Sequence, residues 1–146
     1  MKRVITNQKE RVAAWVAERM VGGAVWGGGY EALGVEQDGN LIGGVVVDEY
    51  VKDVRCSMHC AGDGKQWLSR KFLFVLFDYA FRQLGCRLIV SPVNSENTRS
   101  VKFISDIGFV EKCRIKDGSP EGDLIIFVMR REDCRWLSLK KELQHG

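Results

Sequence analysis

Residues 93–109 read VNSENTRSVKFISDIGF, and the order of residue types in this stretch decides how the rest of the chain is read. The residues before it, 87–90, form a partly β-branched run, apolar after Arg87, that predicts a strand. That strand should end at Ser91-Pro92, because proline cannot donate to a central ladder. Asn94, Ser95, Asn97 and Thr98 follow, types whose short side chains accept hydrogen bonds from the free N–H groups of a starting helix. Val101, Ile104 and Ile107, with Phe103 beside them, then recur at helical spacing until Gly108, which suits the left-handed position closing a helix. The stretch is therefore strand end, polar cap, short amphipathic helix over residues 97–107 and glycine stop.

Downstream, residues 109–116 and 123–131 predict a strand pair around a turn at 117–122. Upstream, a strand over residues 86–90 follows a long apolar helix that carries Trp67, Phe72, Val75, Leu76, Tyr79 and Leu84 and stops at Gly85. Gly62-Asp63-Gly64 separates this helix from an antiparallel meander at 30–36, 40–50 and 54–60, whose first turn is Asp38-Gly39. Residues 6–20 place Val12, Trp15, Val16 and Met20 at helical spacing after a cap at Thr6 or Asn7, and Gly22-Gly23 ends that helix. Residues 132–146 read as a peripheral tail with a frayed helix. Helix, strands, helix, strand, helix and a final strand pair make an α/β arrangement with a mixed sheet. A length of 146 residues and 45% hydrophobic content fit a single domain, 1–146.

Composition narrows the function classes. No apolar run approaches the ~20 residues a membrane-spanning helix needs, and the charged start lacks the apolar segment of a secretory signal, so a cytoplasmic protein is expected. The net charge of +3 with no long basic run argues against nucleic acid as a partner. Five cysteines, an odd number scattered through predicted strands, suit reduced thiols packed as small hydrophobes. Cys56, His59 and Cys60 lack the spacing of a zinc pair, and no metal is expected. Acidic residues gather between Glu31 and Asp53, while basic ones gather at 65–71 and 99–102, so one region favours a cation and another an anion.

Asn97, Ser100, Phe103, Ile104, Ile107, Gly108 and Phe109 sit at the spacing of the N-x-x-A/S-x-x-(apolar)-Y-x-x-(apolar)-G-F signature of the GCN5-related N-acetyltransferases. The chain resembles that family from its first helix to its final hairpin, with the flavour of the ribosomal-protein-acetyltransferase-like branch. The resemblance implies a mixed, mostly antiparallel sheet of about six to seven strands, flanked by helices and split at a splayed parallel strand pair where the cofactor lies. It implies acetyl-CoA as co-substrate. In the family, backbone N–H groups at a helix start hold the pyrophosphate, and the matching positions here are Lys65, Gln66, Trp67, Leu68, Ser69 and Arg70. Leu68 and Arg70 stand where the family has small residues, and Gly62 and Gly64 lie upstream of them. The resemblance further gives Asn97 a hydrogen bond to the pantetheine arm, and Arg99, with Lys102, a place facing the adenosine 3′-phosphate.

Acetyl transfer to an amine needs a base for the ammonium proton and an acid for the leaving thiolate. The family's frequent acid, a tyrosine, is replaced here by Ile104; Ser100 is the hydroxyl the resemblance offers instead. His59 is the candidate base, since an imidazole titrates near neutrality. Glu49 and Asp53, in the hairpin before it, are candidates for ordering water or binding the substrate ammonium. A bulge in the strand carrying His59 would aim an N–H at the thioester carbonyl. The reading that follows is transfer of acetyl to a primary amine, on a peptide N-terminus, a lysine or a small amine, by a monomer or homodimer. The alternative is a catalytically inactive member of the same fold that serves as a binding or regulatory module, motivated by Ile104 and by the missing loop glycines.

Overall fold

The computed structural model describes residues 1–20 and 22–138. Its strands are β1 (Lys2–Ile5), β2 (Glu31–Gln37), β3 (Asn40–Val51), β4 (Arg55–Gly62), β5 (Leu88–Asn94), β6 (Val110–Ser119) and β7 (Gly122–Arg130), and its helices α1 (Lys9–Glu18), α2 (Arg70–Asp78) and α3 (Thr98–Asp106). They build one sheet of order β1-β2-β3-β4-β5-β7-β6. Every junction is antiparallel except the parallel β4–β5 pair. The β2–β3 turn closes through Asp38 and Gly39, both left-handed, as a two-residue hairpin matching strand twist requires. α2 passes into one π-helical turn, Tyr79–Gln83, and the chain leaves it through left-handed Gly85.

The structure departs from the sequence reading at several points. β1, an edge strand of which only Ile5 is buried, was not expected; so short a strand has no periodicity of its own and is held by pairing with β2. α1 starts after Gln8, whose side chain makes no capping bond, rather than at Thr6 or Asn7. β5 does not stop at Ser91-Pro92 but runs to Asn94. Pairing with β4 ends at Ser57 and Val90, whereas pairing with β7 continues through Pro92 and Ile126 to Asn94 and Leu124. Proline is tolerated because the strand on one side has already peeled away. β4 itself is regular opposite β3 from Ser57 to Gly62, and the irregularity falls at the hairpin end, between Asp48 and Val51. Of the expected tail helix, residues 131–133 and 135–138 form single 3-10 turns, and 139–146 lie outside the described residues.

Two glycine pairs set how closely the sheet is covered. On one face Gly43 and Gly62 stand opposite each other beneath the buried Trp67; a Cβ at either would lie 2.3 or 1.9 Å from the indole. Trp67 also meets Phe103 of α3 edge-on at 5.3 Å, which joins α2, α3 and the sheet into the main core. On the other face Gly34 and Gly44 stand opposite each other beneath α1, and a Cβ at Gly44 would lie 2.9 Å from both Val12 and Val16. Both valines are fully buried, each contributing about 1.5–3 kcal/mol by that burial. α1 covers the sheet only as far as β4 in this second, smaller core.

Candidate active site

The site lies where β4 and β5 part. Beyond the Ser57–Val90 pair the β4 carbonyls lose their ladder partners, and serine hydroxyls take the place of N–H groups. Ser91 Oγ donates to the Met58 carbonyl at 2.8 Å, and Ser100 Oγ, from the first turn of α3, donates to the Cys60 carbonyl at 3.0 Å. Buried carbonyls left without donors would each cost about 1–3 kcal/mol, so these bonds hold the split open as a stable feature. The split is a narrow slot of about 40 Å³. Ser91 and Ser100 line it on the α3 side of the sheet, and His59, Pro92 and Met20 line it on the α1 side. Cys60 also borders the slot, but burial pushes its thiol up to about 12, so it stays protonated and is no nucleophile at neutral pH.

Asn97 stands at the junction of this slot with a wider cavity of about 230 Å³, bounded by Gly62, Asp63, Arg19 and Arg99. Its Oδ1 caps α3 by accepting the Ser100 N–H at 3.2 Å, which leaves the side-chain NH₂ as the group it can offer a ligand. Arg99 reaches the Gly62 carbonyl at 3.4 Å across the cavity. Arg19, stacked on Trp15 at 3.5 Å, contacts Asp63 at 3.4 Å on the other wall. Two guanidinium groups thus face a cavity that continues from the slot.

On the α1 side His59 pairs with a residue the sequence reading missed. His59 Nε2 lies 2.9 Å from Oδ1 of Asp48, a buried carboxylate on the neighbouring strand. With Nε2–H donated to that carboxylate, the lone pair is on Nδ1, which is buried and makes no hydrogen bond among the described residues. The Trp26 ring packs 5.1 Å from the imidazole. The signal for Asp48 was present: a carboxylate ends the continuous apolar run Gly44-Val45-Val46-Val47, all of it buried, where a buried charge requires a partner.

The remaining sequence candidates divide. Glu49, left-handed at φ 49°, accepts from Ser57 Oγ at 3.1 Å and so lies beside the dyad. Asp53, left-handed at φ 62°, sits in the turn before β4 next to Gly85, at the end of the strand away from the slot. Between β4 and α2, Lys65 pairs with Asp106 at 3.7 Å, and the Gln66 carbonyl accepts from Lys2 at 2.9 Å. Trp67 donates its indole N–H to the Gly64 carbonyl at 3.1 Å and lies in the core. The Leu68 N–H is given to the Lys65 carbonyl at 3.0 Å, Ser69 caps α2 through Phe72 N, and the exposed Arg70 opens the helix. Ser69's hydroxyl and the Leu68 N–H are therefore used within the protein. Among the described residues no cluster suited to a metal ion occurs, and no helix is long and apolar enough to cross a membrane.

A sheet split at one parallel pair, with a capped helix leaving the split, defines the fold of the GCN5-related N-acetyltransferases. Solved structures of that fold superpose over most of the chain. The ribosomal-protein-S18-alanine N-acetyltransferase of Escherichia coli matches with a TM-score of 0.68 at 19% identity, covering 89% of this chain and 94% of its own. The spermidine/spermine N-acetyltransferase SpeG of Vibrio cholerae matches at 0.70 and 15% identity, covering 94% and 98%. The protein yncA of Salmonella typhimurium, whose structure holds its cofactor acetyl-CoA, matches at 0.66 and 18% identity, covering 88% and 93%. No protein-family model and no curated protein sequence matches the chain.

Proposed function

We propose that this chain is an acetyl-CoA-dependent N-acetyltransferase acting on a primary amine by direct attack in a ternary complex. The observation that carries the reading is the slot through the sheet, with Asn97 on one side and the Asp48–His59 pair on the other. The slot and the cavity beyond it suit a narrow arm ending in an anionic head: Asn97 offers its amide to the arm, and Arg99 and Arg19 offer positive charge to phosphates. The start of α2, with Lys65 and Arg70 near it, adds an electropositive helix end. Acetyl-CoA supplies the activated acetyl group.

The acceptor approaches from the α1 side, where His59 and Glu49 lie. Nδ1 of His59 takes the proton from the ammonium, and Asp48 holds the ring in the tautomer that leaves Nδ1 free to do so. The amine nitrogen then forms the new C–N bond as the C–S bond breaks, and the proton that nitrogen loses on becoming an amide goes to the departing thiolate. Ser100 can relay that proton only by giving up its bond to the Cys60 carbonyl.

Isothermal titration with acetyl-CoA, followed by a thiol-release assay over a panel of amines, tests the reading; absence of binding removes it. Asn97→Asp keeps the oxygen that caps α3 but lacks the amide donors, so it should weaken acetyl-CoA binding about tenfold with little change in stability. His59→Gln should lower kcat about 100-fold and leave acetyl-CoA affinity unchanged. Unaltered turnover in His59→Gln would show that the base is elsewhere.

A further inference from the structure

β5 and β7 alternate cleanly between two faces, while β6 beside them is exposed from Val110 to Gly118. Ile89, Ser91 and Val93 of β5 and Ile125, Phe127 and Met129 of β7 are buried against α2 and α3. The other face of an antiparallel sheet left to solvent is ordinarily polar. Here it is not. Val90 lies beside Val128, which lies beside Val110; Pro92 lies beside Ile126; and Ile115 lies beside Leu124, the β6–β7 register shifting between Glu111 and Cys113. None of these residues is buried, and Val110 and Ile115 are 55% and 50% exposed. α1 stops at β4, so among the described residues no helix covers this half. The surface is small, but apolar side chains bordering a site offer apolar groups of a ligand a place to leave water.

Its position says what the contact is. Pro92 and Asn94 belong both to this face and to the wall of the slot, so the apolar surface runs up to the mouth beside His59. At the far end of the mouth Gly22 stands over Pro120, where an added Cβ would lie 3.2 Å from the proline ring, and Asn94 donates to the Pro120 carbonyl at 2.7 Å. These contacts close one end of the mouth. The surface spans roughly 10 Å across the strands and roughly 14 Å along them, from strand spacings of ~4.8 Å and a rise of ~3.4 Å per residue. That is an extended segment of about three or four residues, and far below the ~800 Å² each partner of a stable dimer buries. No carboxylate lies among these side chains, Asp48 is turned to His59, and Glu49 is bonded to Ser57, so a polycation finds little to hold it here.

We propose that the uncovered face of β5, β7 and β6 is the acceptor platform, and that the acceptor is a peptide amino terminus whose first side chains are apolar. The proposal rests on the transferase reading above and names the substrate class of that site. The test compares acetylation of two peptides of equal length and charge, both beginning with alanine. One continues with isoleucine and valine, the other with serine and glutamine; spermidine serves as a third acceptor.

The apolar peptide should be preferred by about tenfold or more in kcat/KM, the scale on which apolar pockets discriminate. Ile126→Lys should reduce that preference to within about twofold by raising KM, with acetyl-CoA affinity unchanged as the sign of an intact fold. Ile115→Lys, at a more exposed position, should reduce it partially and guards against a folding defect in the first variant. Equal rates for the two peptides, a preference that survives both variants, or spermidine as the fastest acceptor overturns the platform and leaves the transferase reading standing. So does a dimer in sedimentation velocity that Ile126→Lys splits without changing the peptide preference. Acetyl-CoA binding without acetylation of any amine overturns both readings together.

Discussion

Across β2, β3 and β4 the side of the sheet facing α1 is narrowed by Gly34 and Gly44, so that Val12 and Val16 press onto it. Across β5, β7 and β6 the same side carries Val90, Ile126 and Val110 with no helix over them among the described residues. Both halves are apolar, yet only one is prepared for close approach of a backbone element. Glycine pairs remove side chains so that a helix can sit against strands; branched side chains standing up from the sheet make a surface that receives other side chains. The dividing line between them is the slot at β4 and β5, with the Asp48–His59 pair on its border. A helix over the second half would bury the mouth beside His59, so the lack of one among the described residues and the access to the site are one arrangement.

The comparison can be broken by charge. Val46 is fully buried under α1, and Val46→Lys places an ammonium there without a partner, at a cost above about 4 kcal/mol. That is a large part of the roughly 5–15 kcal/mol total of a domain this size, so circular dichroism should show a largely unfolded protein. A wild-type urea midpoint in this variant would mean that α1 does not seal the first half. Next in size, Gly44→Val overfills the trough beneath Val12 and Val16 and should cost about 1–3 kcal/mol, read as a lower urea midpoint at constant slope. At the border, Ser100→Ala leaves the buried Cys60 carbonyl without its donor and should cost about 1–2 kcal/mol, with turnover falling more than acetyl-CoA affinity. An unchanged melting curve would show that the split is not held by that hydroxyl. The smallest effect belongs to the bare half: Ile115→Lys should alter stability by no more than about 0.5 kcal/mol, because its side chain is already in water. A larger loss there would mean that this half is covered after all.

Much of this was legible along the chain. The α3 segment signalled itself twice, through the Asn97 cap and through helical recurrence of Phe103, Ile104 and Ile107, and the structure realises both. The Asp38-Gly39 turn and the stop at Gly85 were likewise local matters of backbone conformation. β1 was not legible, because an edge strand this short is defined by its partner. The run through Pro92 was hidden for the same reason: whether a proline interrupts a ladder depends on which neighbours are still paired at that position.

In the site, His59 and Asn97 were identifiable as chemical types, but their partners were not. Asp48 stands eleven residues from His59, and Ser100 reaches a carbonyl forty residues away. Trp67, read as part of a phosphate loop, proves to fill the space that Gly43 and Gly62 leave, a fit that needs three separated segments in register.

The sequence by itself determined the local conformations, the alternation of each strand and the presence of an amide, an imidazole and a hydroxyl in the right segments, since these follow from nearest-neighbour sterics and side-chain chemistry. The tertiary structure alone decided which carboxylate holds the imidazole, which carbonyl accepts the serine hydroxyl, and which half of the sheet has no helix over it among the described residues. Those outcomes depend on strand order and on where a helix ends relative to distant strands, and alternation within a strand is the same whether or not something lies above it.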